Sequence, residues 1–392
     1  MSKLKIAFYC TNEFSCPLPK EIIYAPMDLA EILVKELSRR GHDVTFYCSS
    51  DSKIGDYESK DKQYGNMYYH TEGKSRDSLK IKKESGGMTS FYKLKDKPMN
   101  GGFHDQLQVS VYEQLLASKM YEDAQKGKFD VIHAFHLIPK ILPFVNQTKT
   151  PTVFTLHDPM DSSWNKVINY CRWKNEAYYV SISDNQRKGM PDLNYIRTVY
   201  NGLDLDKFRF QDKSEGYFAY LGRYTYEKGA DAAVNVAKRS GEKLKMSGNI
   251  WGNGFYDEKI KPHLKKGKIE DVGFLDRSEI SDFLGKASAL LFPIRWQEPF
   301  GLVMIEAMAC GTPVIAFKNG SVPEVIKHGK TGFVVENEEE MIEAMKSIGK
   351  INRADCREHI EENFTMKKMV DGYEEVYDKL VNRKSQMESD NK

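Results

Sequence analysis

Short apolar runs alternate with longer amphipathic stretches along most of the chain. The runs are rich in β-branched and aromatic residues, which predicts buried strands. They cover residues 4–9, 44–48, 129–133, 151–156, 178–183, 217–221, 243–248, 290–292 and 314–317. Between many of them the apolar residues recur at helical spacing, first in residues 27–40. This alternation predicts an α/β fold with doubly wound parallel sheets.

The pattern predicts two domains and a terminal segment. A chain of 392 residues is long enough for two such domains, each with its own core. We place them at residues 1–202 and 203–362, with a helix and tail over 363–392. Residues 52–102 are polar, lysine-rich and poor in periodic apolar positions, which predicts a variable excursion from the first sheet.

The stretch 296–317, WQEPFGLVMIEAMACGTPVIAF, places two carboxylates around a helix start. Glu298 lies on the loop before the helix, and Glu306 lies within it, eight residues later. The first N–H groups of a helix lack partners and carry partial positive charge, which suits a phosphate. Phosphate-binding amides between two carboxylates suit a sugar nucleotide. The alternative is that Glu298 is a solvated loop residue and Glu306 a helix-surface residue.

A second anion-binding pattern follows the predicted strand at 217–221. Arg223 lies in the loop after this strand, and Lys228 precedes the next helix. A guanidinium can bind two diphosphate oxygens at once, whereas an ammonium acts as a point charge. The alternative is a basic surface turn.

Histidines follow two strands of the first domain. His157 comes after the strand 151–156, at the carboxyl edge where parallel sheets bind ligands, so its imidazole can bind a sugar hydroxyl. An ordinary loop histidine is the alternative. His133 and His136 form an HxxH pair, but residues three apart on a strand face opposite sides, which argues against a shared metal ion.

Composition excludes several classes of function. The net charge of +2 gives no global field for nucleic acid. No run reaches the roughly 18 apolar residues of a membrane-spanning helix. Six scattered cysteines without a CxxC pair favour a reduced, cytoplasmic protein. The segment 252–254, GNG, lacks the third glycine of the dinucleotide fingerprint, so NAD binding finds little support.

Several segments resemble one family. The 296–317 stretch with the following GSVPEVIKHGKTGFVV (320–335), LGRYTYEKGAD (221–231) and NGLDLDKF (201–208) resemble retaining glycosyltransferases of family four. The resemblance implies the GT-B fold, with two Rossmann-like domains facing a central cleft and a C-terminal helix that crosses back to the first domain. Residues 17–28 depart from it, because they contain no glycine where family members carry a Gly-Gly pair.

The resemblance also implies an activity. This is transfer of a sugar from a nucleoside diphosphate sugar, UDP first and GDP next, to an acceptor hydroxyl with retained configuration. The acceptor would be a sugar, a lipid-linked or a small-molecule hydroxyl, in glycan, glycolipid or glycoside biosynthesis. A membrane-surface enzyme stays open as a class, although the mixed charges of residues 27–40 favour a core-facing helix.

Site residues follow from the same resemblance. The catalytic group is His157, Arg223, Lys228 and Glu298, of which Arg223 and Lys228 also hold the diphosphate. The remaining nucleotide-binding residues are Gly252, Phe274, Leu275, Phe300, Gly301, Leu302 and Glu306. Fixed cations replace a divalent metal, so we expect neither a cofactor nor a metal. The aspartates of the DLD triplet, Asp204 and Asp206, are then structural residues.

Two further classes stay open. One is a non-catalytic protein that binds nucleotide sugars, against which the intact charged residues argue. The other is a synthase or phosphorylase of the same fold that acts on oligosaccharides. The chain is short for that group and has no apparent lysine motif for pyridoxal phosphate.

Overall fold

The computed structural model describes residues 2–11, 13–18, 22–49, 52, 67–71, 102–136, 138–250 and 254–390. These residues form two compact units. The first contains the chain up to Ile182, residues 187–199 and the part from Val370 onwards. The second contains residues 183–186 and Tyr200–Met369. Each unit is built on one parallel sheet.

The strands in the described ranges divide between the two sheets in chain order. They are β1 (Lys5–Tyr9), β2 (Asp43–Cys48), β3 (Met67–Thr71), β4 (Val131–Ala134), β5 (Thr152–Thr155), β6 (Tyr178–Ser181), β7 (Tyr195–Thr198), β8 (Phe218–Leu221), β9 (Leu244–Ser247), β10 (Ile269–Asp271), β11 (Ala289–Phe292), β12 (Val314–Phe317) and β13 (Gly332–Val335). The α-helices are Ala25–Arg39, Gly102–Gln125, Ile138–Ile141, Ser163–Lys166, Ala230–Ser240, Phe255–Lys259, Arg277–Gly285, Leu302–Ala309, Val322–Val325, Glu338–Ser347, Arg353–Asn363 and Met366–Asp390.

The first sheet has the order β3-β2-β1-β4-β5-β6-β7. Its strands pair in parallel over the described residues; for example, Phe8 lies opposite Phe46 on β2 and opposite His133 on β4. This is the doubly wound arrangement that the apolar runs predict. Its core packs buried side chains of the sheet, such as Tyr9 and Phe154, against Met120 of the helix Gly102–Gln125.

Part of the predicted excursion belongs to the sheet. Met67–Thr71 forms β3, which pairs in parallel with β2 at the sheet edge. The prediction that residues 52–102 leave the sheet is therefore wrong for these five residues. An edge strand has a neighbour on one side only, so it does not need the continuous apolar run of a central strand.

The last helix returns to the first unit, as expected. From Val370 onwards its residues group with that unit. Arg40, just after the helix Ala25–Arg39, donates to Asp371 at 2.7 Å and to Glu374 at 2.5 Å. The helix Met366–Asp390 occupies most of the segment 363–392 for which the sequence predicts a helix and a tail.

A buried polar network fixes this helix to the sheet. His133 Nδ1 lies 2.7 Å from the Tyr377 hydroxyl, and His133 Nε2 lies 2.8 Å from Thr155 Oγ1. Thr155 Oγ1 in turn donates to the Tyr373 hydroxyl at 3.1 Å. All four side chains are buried. Both ring nitrogens of His133 therefore serve the fold, in agreement with the argument against a shared metal ion with His136.

This network makes a prediction about acid stability. Burial holds the pKa of His133 well below its ordinary value of 6.5, so the folded protein keeps the ring neutral. Below about pH 6.5 the unfolded chain takes up a proton that the folded chain does not, and stability falls by up to about 1.4 kcal/mol per pH unit for this group. We expect urea unfolding of His133→Gln between about pH 6.5 and 5 to show a shallower pH slope than the parent. An unchanged slope would contradict a neutral, buried His133.

The second sheet has the order β10-β9-β8-β11-β12-β13, again doubly wound and parallel. Its core packs the sheet against the helices Ala230–Ser240 and Glu338–Ser347, with residues such as Val234, Leu291 and Met341 fully buried. None of the helices in the described ranges is long and apolar enough to cross a membrane.

Candidate active site of the second unit

The neighbouring strands β8 and β11 bring two loops of the second unit together. They pair in parallel, with Phe218 opposite Ala289, so the loops that follow them leave the same edge of the sheet. The loop after β8 carries Arg223 and Lys228, and the loop after β11 carries Glu298. Residues 70 positions apart are therefore placed at one carboxyl edge.

Lys228 and Glu298 form an ion pair at this edge. Lys228 Nζ lies 2.5 Å from Glu298 Oε2, which also accepts from Trp296 Nε1 at 2.8 Å. Lys228 Nζ lies 4.6 Å from the centre of the Trp296 ring, within the range of a cation–π contact. The Glu298 side chain is only 9% exposed and that of Lys228 18%. Partial burial strengthens such a contact and keeps both groups in a defined position.

Two glycines let backbone segments approach this ion pair closely. A Cβ atom at Gly229 would lie 1.9 Å from the carbonyl oxygen of Pro293, and one at Gly320 would lie 2.3 Å from the nitrogen and oxygen of Glu298. Both residues have positive φ, +70° and +59°. Ser321 donates its N–H to the Glu298 carbonyl at 2.9 Å. Any larger residue at these glycines would push the loop of Lys228 or of Glu298 out of place.

Arg223 lies on the exposed part of the β8 loop. Its carbonyl accepts from the Tyr220 hydroxyl at 2.8 Å and from Thr225 N–H at 2.9 Å, which fixes the loop backbone. Tyr220 is itself buried. The backbone of the loop is thus held by Tyr220 and Thr225, while Arg223 itself is exposed.

The helix Leu302–Ala309 begins directly after the Glu298 loop. Gly301 is its N-cap, and Glu306 lies in its second turn, partly buried. The N–H groups of the first residues, from Leu302, have no acceptor within a helix, which is the feature that binds phosphate. The structure therefore brings Glu298, the helix start and Lys228 into one part of the second unit.

Phe300 is placed differently from a ligand-lining side chain. It is 2% exposed and its ring packs against Tyr200 and Phe364, at centroid distances of 6.1 and 5.8 Å. Its carbonyl accepts from Ser321 Oγ at 2.8 Å. The ring belongs to the core, so a nucleotide contact at Phe300 is left to its backbone.

The predicted nucleotide-binding residues Phe274 and Leu275 follow β10. Phe274 is exposed and Leu275 partly buried. Gly252, the remaining nucleotide-binding residue of the sequence analysis, lies outside the described residues.

His157 belongs to the first unit, where it follows β5. Its ring centre lies 4.5 Å from that of Phe135, and its buried Nε2 has no hydrogen-bond partner among the described residues. Burial and then His136 lower the pKa of His157 to about 3, although Asp158 acts in the opposite direction. The ring is therefore neutral at physiological pH. His136 is bound elsewhere, with Nδ1 2.6 Å from the Tyr24 hydroxyl and Nε2 3.2 Å from Asp158.

The DLD aspartates have a local role. Asp204 caps the short 3₁₀ helix Leu205–Lys207 and accepts from the Asp206 N–H at 3.3 Å. Over the described part of the chain, no group of three or more His, Cys, Asp or Glu side chains could hold a metal ion. The assignment of Asp204 as a structural residue fits this geometry.

Three residues of the site were not singled out from the sequence. Trp296 binds the Glu298 carboxylate, and Gly320 lies against the Glu298 backbone. Asp271 ends β10 and accepts from the N–H of Gly273, next to the predicted nucleotide-binding residue Phe274. Gly320 could have been found from the sequence, because it is a glycine just after the predicted strand 314–317. Nothing in the residue spacing indicates the partners of Asp271.

Comparison with known proteins places this geometry in a class. Residues 204–365 match the family model of glycosyl transferases group 1. The chain is 26% identical over 380 residues to the N-acetyl-alpha-D-glucosaminyl L-malate synthase of Bacillus anthracis, which covers 88% of this chain and 91% of that protein.

Solved structures show the same fold. Sucrose-phosphate synthase from Thermosynechococcus elongatus matches with a TM-score of 0.71 at 14% identity, covering 97% of this chain and 100% of that one. Anabaena HepE in complex with UDP and glucose matches with a TM-score of 0.66 at 16% identity, covering 96% and 100%. The fold is that of GT-B glycosyltransferases, and the second unit contains the residues that match the group 1 model. A glycosyltransferase is the class that domain and fold support.

Proposed function

We propose that the protein is a retaining glycosyltransferase of family four. It moves a hexose from a nucleoside diphosphate sugar, UDP first and GDP next, to an acceptor hydroxyl, and it needs no metal. The observation that carries this proposal is the contact of Lys228 with Glu298 beside the start of the helix Leu302–Ala309. A cation that can bind phosphate and a carboxylate that can bind sugar hydroxyls are in contact there. A sugar nucleotide contains both kinds of group, so it needs both kinds of side chain in one place.

The leaving diphosphate is the part of the reaction that most needs stabilisation. Negative charge develops on its oxygens as the sugar departs, and positioned donors stabilise that charge most when they are already fixed. Lys228 is held by Glu298 and Trp296, and the backbone of Arg223 is held by Tyr220. With the amides at Leu302, these groups take the place of a divalent cation.

The two glutamates would bind opposite ends of the donor. Glu298 lies on the loop ahead of the phosphate-binding helix start, so its Oε1 is assigned to hydroxyls of the transferred sugar. Glu306 lies behind the helix start, so it is assigned to the ribose hydroxyls. In this assignment the leaving phosphate accepts the acceptor proton, and no residue acts as a nucleophile.

Relatives support a nucleotide-sugar donor. HepE was solved with UDP and glucose, which favours UDP as the first donor to test. The acceptor would be a sugar, lipid-linked or small-molecule hydroxyl. His157 of the first unit is neutral and its Nε2 lacks a protein partner among the described residues, which fits the role of a hydroxyl-binding group.

The test is release of nucleoside diphosphate from a panel of UDP-, GDP- and ADP-sugars, with and without excess EDTA. We expect UDP-sugars to be turned over fastest, and EDTA to leave the rate unchanged because fixed cations supply the charge. UDP should also raise the melting temperature of the protein, since a ligand that binds only the folded state stabilises it.

Three outcomes would contradict the proposal. Absence of both turnover and stabilisation by any of the three nucleotides would remove the donor assignment. Complete loss of turnover in EDTA, restored by a divalent metal, would instead give the DLD aspartates a catalytic role. Nucleotide binding without turnover of any sugar would favour the non-catalytic class.

A further inference from the structure

Asp271, at the end of β10, is the centre of a hydrogen-bond cluster in the second unit. Its Oδ1 accepts from the Tyr224 hydroxyl at 2.7 Å, and its Oδ2 accepts from the Tyr256 hydroxyl at 2.5 Å. Oδ1 also accepts from the Gly273 N–H at 2.9 Å. Three donors from three separate elements therefore meet one carboxylate.

The cluster joins parts of the chain that are distant in sequence. Tyr224 lies on the loop after β8 and is fully buried, and Tyr256 lies in the helix Phe255–Lys259. The two rings are 5.0 Å apart between centres. Burial and the Asp271 carboxylate raise the pKa of both tyrosines, so both hydroxyls keep their protons and donate. Hydrogen bonds to a carboxylate are stronger than those between neutral groups.

Gly273 is held on both sides of its backbone. Its N–H donates to Asp271, and its carbonyl accepts from Ser247 Oγ, at the end of β9, at 2.7 Å. Val272 N–H donates to the Met246 carbonyl at 2.9 Å, which continues the sheet by one residue. The turn at 272–274 is therefore fixed to the carboxyl edge of the sheet.

This fixed turn carries two apolar side chains into solvent. Val272 is 40% exposed and Phe274 is 36% exposed, on either side of Gly273. A rigid turn that exposes an aromatic ring at the ligand-binding edge of a sheet is suited to a flat, apolar ligand surface. In a nucleotide, that surface is the base.

We propose that Asp271 is a positioning residue for the nucleobase. Its carboxylate, bound by Tyr224 and Tyr256, fixes Gly273, and Gly273 in turn sets the position of Phe274 against the base. This inference rests on the proposed function, because it concerns the base of the same donor. Asp271 itself does not touch the ligand.

The test separates the base from the phosphates. UDP and inorganic pyrophosphate are titrated by calorimetry into the parent, Asp271→Ala, Tyr256→Phe and a control, Asp257→Asn. Asp257 neighbours Tyr256 and pairs at 3.0 Å with Lys261 on the exposed surface. Melting temperatures are recorded for all variants.

We expect Asp271→Ala to bind UDP at least about tenfold more weakly, the scale of a lost base-stacking contact, with the affinity for pyrophosphate unchanged. Tyr256→Phe keeps the ring and removes one hydroxyl. It should also weaken UDP binding and leave pyrophosphate binding unchanged, but by a smaller factor. The control should match the parent with both ligands. Because Tyr256→Phe is the milder change, it decides the matter if Asp271→Ala does not fold.

Two results would overturn the inference while leaving the proposed function intact. One is an unchanged affinity for UDP in these variants. The other is an equal loss of affinity for UDP and for pyrophosphate, which would indicate general damage to the unit. A parent protein that binds neither UDP, GDP nor ADP would remove the inference together with the proposed function.

Discussion

Replacement of Lys228 by alanine is expected to lower kcat/KM for sugar transfer by about 10²–10³-fold, the scale for losing one preorganised donor. The reason is that Lys228 supplies fixed positive charge beside Glu298, where the proposed reaction places the developing charge of the leaving diphosphate. Arg223→Ala should lower kcat/KM by a factor in the same range. Steady-state kinetics with the best donor from the panel measures both.

Lys346→Ala is the matched control for this prediction. Among the residues that the structure describes, Lys346 pairs with Glu343 alone, on the surface, where both side chains are more than half exposed. Its replacement should leave kcat/KM unchanged. Near-normal turnover in both Lys228→Ala and Arg223→Ala would remove the diphosphate assignment. The melting temperatures of the variants are also measured. A lower melting temperature does not explain a loss of kcat/KM as long as the folded fraction at the assay temperature is the same as in the parent.

Replacement of Glu298 and replacement of Glu306 should have different effects on nucleotide binding and on sugar transfer. Glu306→Ala should weaken binding of the free nucleoside diphosphate by roughly 1.5–3 kcal/mol, the scale of a hydrogen bond to a charged group. Glu298→Ala should depress transfer by a similar free energy while changing nucleotide affinity little, because its contacts with the donor begin beyond the diphosphate.

Calorimetry with the nucleoside diphosphate on both variants measures this difference. Glu298→Gln is a useful companion, because it keeps the shape of the side chain and removes the charge that pairs with Lys228. Equal losses of nucleotide affinity in Glu298→Ala and Glu306→Ala would show that the division of roles is wrong.

Interior strands could be predicted from the sequence and edge strands could not. Within the described ranges, the nine apolar runs match the nine strands that have a neighbour on each side, and β12 has the predicted bounds of Val314–Phe317. The four strands that the pattern missed, β3, β7, β10 and β13, are the two edges of each sheet. A central parallel strand is buried on both faces and needs a continuous apolar run, whereas an edge strand does not.

The sequence indicates the candidate residues of the site but not the contacts between them. Residue types and spacing indicated Lys228 and Glu298 separately, as a cation for phosphate and a carboxylate for hydroxyls. Their direct contact depends on the pairing of β8 with β11, a fact of strand order that no local pattern contains. The same holds for Asp271, whose partners come from three different elements.

The return of the last helix to the first unit has a consequence for synthesis on the ribosome. The chain emerges from its N-terminus, yet His133 and Thr155 lack their hydroxyl partners until Tyr373 and Tyr377 have been made. The first unit includes residues from Val370 onwards, whereas the second lies between residue 183 and Met369. Domains generally fold as units, so the unit whose translation starts first is the last to receive all of its residues.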